Sequence, residues 1–276
     1  MYRPRGKTHT RALQAKIHKT PEKKEVKIVS VPETQTIEYP IRINRYLSLK
    51  NYCTRRKADV LISSGKVFIN HKKATLGDKV EETDVVEVNL PRDFAPETRT
   101  YYAYNKPVGV VTNLPQAGEK SIINVTKFPK KVFPIGRLDK DSRGLIILTD
   151  DGRITDKLLN PKYVHSKEYI VRVHKTINEN FIGRIGSGVK LDDGYTTKPC
   201  EVEQLDDQHF RIVLTEGKKR QIRRMCLALN YEVMDLLRIR IMNIELGELR
   251  EGQYREIKGD DLAELLKSLS MINPTE

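Results

Sequence analysis

Gly136-Arg137-Leu138-Asp139-Lys140-Asp141-Ser142-Arg143-Gly144-Leu145-Ile146-Ile147-Leu148-Thr149 is the stretch on which the reading of this chain turns. From Leu145 onward it is a short run of mostly branched apolar residues between turn formers, which predicts a buried strand. The residues before Leu145 are a polar loop with glycine at each end. Loops fixed to rigid strands are where reactive side chains concentrate. Asp139, bracketed by Arg137 and Lys140, is therefore a candidate reactive carboxylate. An isolated Arg-Leu-Asp reads more simply as a loop acid in ordinary salt bridges, so its weight rests on the rest of the chain.

Working outward, Val132-Phe133-Pro134-Ile135 leads into that loop, and Asp150-Asp151-Gly152 turns the chain after the strand. Tyr101–Asn105 reads as a strand, Lys106–Gly109 as a turn, and Val110-Val111-Thr112 as the returning strand. The three tyrosines suit a half-buried sheet better than a stacking platform for bases. Further on, 154–159 predicts a helix, 167–173 a strand, 178–186 a helix, 200–202 and 210–214 strands. Glu216 to Met225 begins as a loop and becomes a helix to about Asn230, followed by strands near 233–245 and a helix at 260–270. Many strands with few helices packed on them make the larger part α+β.

Upstream, 41–90 has a different character. Ile41–Leu47 starts a short helix, and Thr54 is a good N-cap for a second over 55–64, with Ala58, Leu61 and Ile62 on one face and Gly65 ending it. Lys66–Asn70 alternates as a strand, His71-Lys72 turns, and Asp84–Val88 closes with another strand. Between 41 and 73 stand nine Lys or Arg and one acid, Asp59. A solvated charged face mixes signs, so this bias favours phosphate binding by Arg42, Arg45, Arg55, Arg56, Lys57, Lys66 and Lys72. Residues 1–40 read as a basic, flexible arm, 91–100 as a linker, and 259–276 as a terminal helix and tail.

The 276 residues carry a formal charge of +13, which points to a polyanion partner. No apolar run approaches the roughly 20 residues that span a bilayer, and no secretory signal opens the chain, so the expected compartment is the cytoplasm. The basic arm leaves an organelle address open. Three widely spaced cysteines and six scattered histidines form neither a disulfide framework nor a metal spacing. The surface charge makes a monomer the default.

Residues 41–90 resemble the S4 RNA-binding domain through Arg55-Arg56-Lys57-Ala58-Asp59 and Ser64 to Lys72. Asn44 and His71 are mild departures from its usual pattern. Gly136-Arg137-Leu138-Asp139, Lys167-Glu168-Tyr169 and Arg220-Gln221-Ile222-Arg223-Arg224-Met225, in that order behind such a domain, resemble the Rsu/Rlu family of pseudouridine synthases. Val132–Ile135, Lys140-Asp141-Ser142 and Arg240–Asn243 are most similar to its synthase F branch, which acts on 23S ribosomal RNA. The resemblance implies an αL-type S4 domain ahead of a catalytic domain at 101–258, built on a mixed, mainly antiparallel sheet. It implies cofactor-free isomerisation of a uridine to pseudouridine, in a 23S stem-loop or else in tRNA. By the same resemblance Asp139 is the reacting carboxylate, Arg223 the cation that keeps it ionised, and Tyr169 the ring stacked on uracil. Arg137 helps hold the flipped base, and Leu214 lines the pocket or is an ordinary core leucine. Lys218, Lys219, Arg220 and Arg224 would meet phosphates. Whether Asp139 attacks C1′, attacks the base or promotes a glycal stays open. Two other readings are a non-catalytic RNA-binding or assembly protein, and a magnesium site built from Asp139, Asp141, Asp150 and Asp151.

Overall fold

A computed structural model describes residues 39–50, 52–89 and 99–271. The expected arm, except Tyr39 and Pro40, and most of the expected linker lie outside the described residues. The N-terminal elements are β1 (Ile41–Arg42), α1 (Ile43–Leu49), α2 (Arg55–Ser63), β2 (Val67–Ile69), β3 (Lys72–Lys73), β4 (Lys79–Val80) and β5 (Val86–Val88). Thr54 caps α2 as its residue type predicts: its hydroxyl accepts the Lys57 N–H at 3.3 Å. Ala58, Leu61 and Ile62 bury the inner face of α2 in a core shared with Ile43, Leu47 and Val67. The helix expected from Ile41 begins at Ile43, because Ile41 and Arg42 pair with β4 instead. The strand expected over 66–70 stops at Ile69. Asn70 and His71 take positive φ (49° and 65°) and form the turn, with Asn70 Oδ1 accepting the Val85 N–H at 2.9 Å.

The larger part comprises β6 (Tyr101–Lys106), α3 (Ile122–Val125), β7 (Phe133–Ile135), β8 (Arg143–Thr149), α4 (Ile154–Leu159), β9 (Lys167–Val173), α5 (Glu179–Gly186), β10 (Glu201–Gln204), β11 (His209–Leu214), α6 (Gln221–Ala228), β12 (Val233–Ile241), β13 (Ile244–Glu245), β14 (Tyr254–Glu256) and α7 (Gly259–Ser268). One sheet of nine strands runs β10-β11-β9-β12-β8-β6-β14, with β7 also on β8 and β13 also on β12. β8 and β12 are parallel; the other described pairings in this sheet are antiparallel. Leu145, Ile146, Ile147 and Leu148 are fully buried, which is why β8 reads as an unbroken apolar run rather than an alternating one. The strand starts two residues earlier than its apolar text, at Arg143.

Residues paired across a sheet share a face. Val171, Val173, Phe210, Ile212 and Leu236 pack one face against α5 and α6. Further along the same face, Tyr102, Tyr104, Ile146 and Leu148 pack around Ile122. On the opposite face, charges are matched. Arg211 pairs with Glu168 at 3.2 Å, Glu203 at 2.9 Å and Glu201; Arg240 pairs with Glu168 at 2.6 Å; Arg143 pairs with Asp235 at 2.6 Å. The strand expected at Val110–Thr112 does not form. Val111 makes a bridge to Ser121, the Val110 carbonyl takes the Lys106 ammonium, and the Thr112 hydroxyl bonds Leu138 of the Asp139 loop.

Candidate active site

The register builds the site from the sheet upward. Tyr169 of β9 faces Arg238 of β12, Arg238 faces Gly144 of β8, and Gly144 faces Lys106 of β6. At about 4.8 Å per strand, Tyr169 stands about 10 Å from Gly144 in the same row. Glycine is required at 144: its φ is +108°, and a Cβ there would lie 2.3 Å from the Arg238 carbonyl oxygen. The missing side chain lets the β12 backbone at Arg238 close directly onto β8. Arg238 is buried, donates from Nε to the Leu145 carbonyl at 2.7 Å, and its Nη2 has no partner among the described residues.

The Asp139 loop enters β8 at this row, and backbone contacts fix it. The Thr112 hydroxyl accepts the Leu138 N–H at 3.0 Å and lies 2.8 Å from the Leu138 carbonyl, to which it donates. Gly109 N–H donates to the Lys140 carbonyl at 2.8 Å, and Ser142 N–H to the Asp139 carbonyl at 3.1 Å. Lys106, fully buried, donates to the carbonyls of Pro107 and Val110 at 2.9 and 2.6 Å and so shapes the turn carrying Gly109. Burial pushes its ammonium down to about 8, against the pull of Asp141 and Asp139. The Asp139 side chain, held at its backbone on both sides, remains 38 % exposed.

The start of α6 closes the site from above. Arg220, in left-handed backbone at φ 50°, sends Nη1 to within 3.7 Å of Asp139 Oδ2. The same guanidinium forms two hydrogen bonds to Asp141, at 3.0 and 2.8 Å. Arg223 donates to the Asp141 carbonyl at 2.9 Å, the Ser142 hydroxyl at 3.2 Å and the Val233 carbonyl at 3.0 Å, and its Nε lies 3.3 Å from Asp141 Oδ2. Hydrogen bonding from Arg220, then the charges of Arg223 and Arg220, hold the Asp141 carboxyl below its usual range. Glu216 anchors this helix start. Buried beneath it, the carboxylate accepts from Gln221 at 2.6 Å and the Tyr195 hydroxyl at 2.7 Å.

Asp139, Arg220 and Arg223 thus meet around one loop, with Tyr169 in the strand row beside it. Arg220, expected only to meet phosphates, is the cation within 4 Å of Asp139, while Arg223 holds the Asp141 carbonyl, the Ser142 hydroxyl and the Val233 carbonyl of β12. Arg224 is not a free phosphate ligand: it pairs with Asp192 and with Asp193 at 2.8 Å. Leu214 is buried in the core with Ile222 and Met225. Arg137 is exposed beside the site and makes no side-chain hydrogen bond or ion pair among the described residues. Lys218 and Lys219 are exposed on the loop before α6, Lys218 lying 4.4 Å from the Tyr195 ring centre. Arg42, Arg45, Arg55, Arg56, Lys57 and Lys72 are exposed on the N-terminal elements and Lys66 is half-buried. Asp150 and Asp151 stand at the far end of β8, about 20 Å from Asp141, where Asp151 takes the Tyr101 hydroxyl and Arg153. That separation dismantles the four-carboxylate metal reading.

Thr112, Ser142, Glu216, Gln221 and Arg238 escaped the sequence reading as parts of the site. Thr112, Ser142 and Arg238 act through partners distant in sequence, Glu216 and Gln221 through each other, and none sits in a pattern that names its partner.

Comparison with known proteins follows from this geometry. A family model described as RNA pseudouridylate synthase matches residues 100–228, and an S4 domain model matches 41–86. The chain is 44% identical over 231 residues to the dual-specificity RNA pseudouridine synthase RluF of Escherichia coli K12, covering 82% of this chain and 79% of that one. It is 33% identical over 232 residues to ribosomal large subunit pseudouridine synthase B of Bacillus subtilis, covering 81% and 95%. A crystal structure of a pseudouridylate synthase superposes with a TM-score of 0.59 at 29% identity, covering 83% of this chain and 99% of that one.

Proposed function

This chain belongs to the RNA pseudouridylate synthases, and from that membership we propose that it isomerises a uridine in a stem-loop of large-subunit (23S) ribosomal RNA through the carboxylate of Asp139. The reaction breaks the N1–C1′ bond, turns the uracil, joins C5 to C1′ and releases the C5 proton. Electrons balance without an oxidant or reductant. Cleavage develops positive charge at the sugar, and an ionised carboxylate answers it as nucleophile or electrostatic partner.

One observation supports this reading above the others. Asp139 lies between the backbone clamps on Leu138 and Lys140, its side chain is 38 % exposed, and Arg220 stands 3.7 Å from its carboxylate. Tyr169, in the same row and partly packed on the core, would stack on a uracil turned out of its helix. Arg137 reaches outward to steady the flipped geometry, and Leu214 backs the pocket from the core. Lys218 and Lys219 would take phosphates of the stem.

The division of labour we infer gives RNA holding to 41–90 and chemistry to 101–258, joined by 91–100 and acting as a cytoplasmic monomer. Its support is the separate core of the N-terminal elements. The large-subunit assignment draws on the Bacillus relative's name. A second RNA class, for which tRNA is the expectation, draws on the words dual-specificity in the Escherichia relative's name.

The test is tritium release from RNA carrying 5-³H-uridine. Wild-type protein turns over, and Asp139→Asn stops turnover while RNA binding survives. Full turnover in the variant removes Asp139 from this role. Binding without release by wild type supports the non-catalytic alternative. Mapping pseudouridine in total RNA with and without the gene names the target.

A further inference from the structure

The segment between Thr112 and Ser121 takes no part in the chemistry above, yet it is lashed to the Asp139 loop. Thr112 holds Leu138, Gly109 holds Lys140, and Glu119 meets the Lys140 ammonium at 2.9 Å. Its ends are drawn together where Val111 N–H donates to the Lys120 carbonyl at 3.0 Å and Ile122 N–H to the Val111 carbonyl at 3.1 Å. On this closed loop stands Leu114, 84 % exposed, the most exposed large hydrophobic side chain among the described residues.

A lone surface leucine is ordinary. This one differs in conformation and place. Its φ is +51°, a left-handed backbone that branched side chains seldom adopt. The Asn113 side chain secures it by accepting the Leu114 N–H at 2.9 Å. The Leu114 Cα is within about 7 Å of that of Thr112, whose hydroxyl touches the residue preceding Asp139. Lys120, on the same closed loop, adds exposed positive charge suited to a phosphate backbone.

Resting on the synthase reading, the geometry points to Leu114 as the wedge that enters the RNA stem where the target uridine has left it. A base turned out of a stem leaves its neighbours unstacked over a gap. An apolar side chain inserted there restores contact on both flanking bases and blocks the base from returning. A leucine held in a pinned loop loses little freedom when it inserts. The loop's attachment to the Asp139 segment sets wedge and carboxylate at a fixed spacing, so opening the stem and presenting the uridine become one event. Leu114 is thus a positioning residue for paired targets only.

The experiment compares two 5-³H-uridine RNAs: the stem-loop in which the wild-type protein forms pseudouridine, and the same sequence with the target and its neighbours unpaired. Leu114→Ala should release tritium about tenfold more slowly than wild type from the stem, and within about twofold of it from the unpaired RNA. Leu114→Met, which keeps length and apolarity, should stay near wild type on both. Normal turnover on the unpaired RNA shows that the variant folds. Wild-type rates on the stem by Leu114→Ala, or equal losses on both RNAs, overturn the wedge. If the wild-type protein releases no tritium from either RNA, the synthase reading falls and the wedge falls with it.

Discussion

Thr112 carries no chemistry of its own, yet its hydroxyl accepts from Leu138 N–H and donates to Leu138 C=O. Thr112→Val removes both bonds at constant shape and leaves two buried backbone groups unpaired. We expect a loss of about 1–3 kcal/mol in urea unfolding and a lower kcat, with Thr112→Ser recovering most of both. Lys106 gives a prediction in pH. Its folded-state value, about 8, is below the ordinary 10.5. Between those values the unfolded chain holds more protons, so stability rises with pH through the window. The unfolding free energy of wild type minus that of Lys106→Met should therefore increase from pH about 7.5 to about 10.5, and a flat difference would contradict the buried ammonium. At this scale Asp139 was legible because its loop precedes a strand whose apolar text is unmistakable. Thr112 was not: a hydroxyl in a Val-Val-Thr run says nothing about a backbone partner 26 residues later. The place of Arg220 beside Asp139 was equally hidden, since a left-handed residue at the head of a helix leaves no mark in a run of basic side chains.

β8 shows what period and composition reveal at the level of elements. Its buried run announced the strand, but its start at Arg143 depends on pairing with β12, more than ninety residues on. The same contact fixes Gly144. Gly144→Ala puts a Cβ against the Arg238 backbone at a φ closed to alanine, and we expect more than about 3 kcal/mol of destabilisation, read as a lost denaturation midpoint or as insoluble protein. α6 illustrates the other limit: periodicity found the helix, while Glu216 and Gln221, which orient it, stand in its approach as ordinary polar residues. Asp141 ties that helix to the Asp139 loop. Asp141→Asn should cut kcat by about tenfold to a hundredfold, because Arg220 and Arg223 both lose a charged partner. It should leave RNA affinity unchanged or raised, because one negative charge has gone. Tritium release and filter binding on the same preparation separate the two effects. The missing strand at Val110–Thr112 is explained at this level too: its hydrogen bonds are divided among the Lys106 ammonium, Lys120 and Ile122, and Leu138 of the Asp139 loop, rather than made to one neighbouring strand.

Over the whole molecule the positive excess is distributed unevenly. On one sheet face Arg143, Arg211 and Arg240 are met by carboxylates, whereas exposed cations lie around Asp139 and over the N-terminal elements. Composition gave the net charge but not this partition, which depends on which acid the register sets opposite which base. Replacing Arg55, Arg56 and Lys72 together by Gln should reduce the slope of log affinity against log salt by about 2–3 and raise KM with kcat little changed. An unchanged slope would remove these residues from the phosphate contacts. The order of strands in the large sheet has a last consequence, one of timing. A ribosome releases the chain from its N-terminus, so the basic 41–90 elements emerge and can fold while β12 and β14 are still unmade. Gly144 then has no Arg238 beside it, and β6 has an open edge where Tyr254 will later pair with Tyr104. A nascent chain can therefore grip RNA well before it can alter it, and chemical competence arrives only when translation is nearly finished.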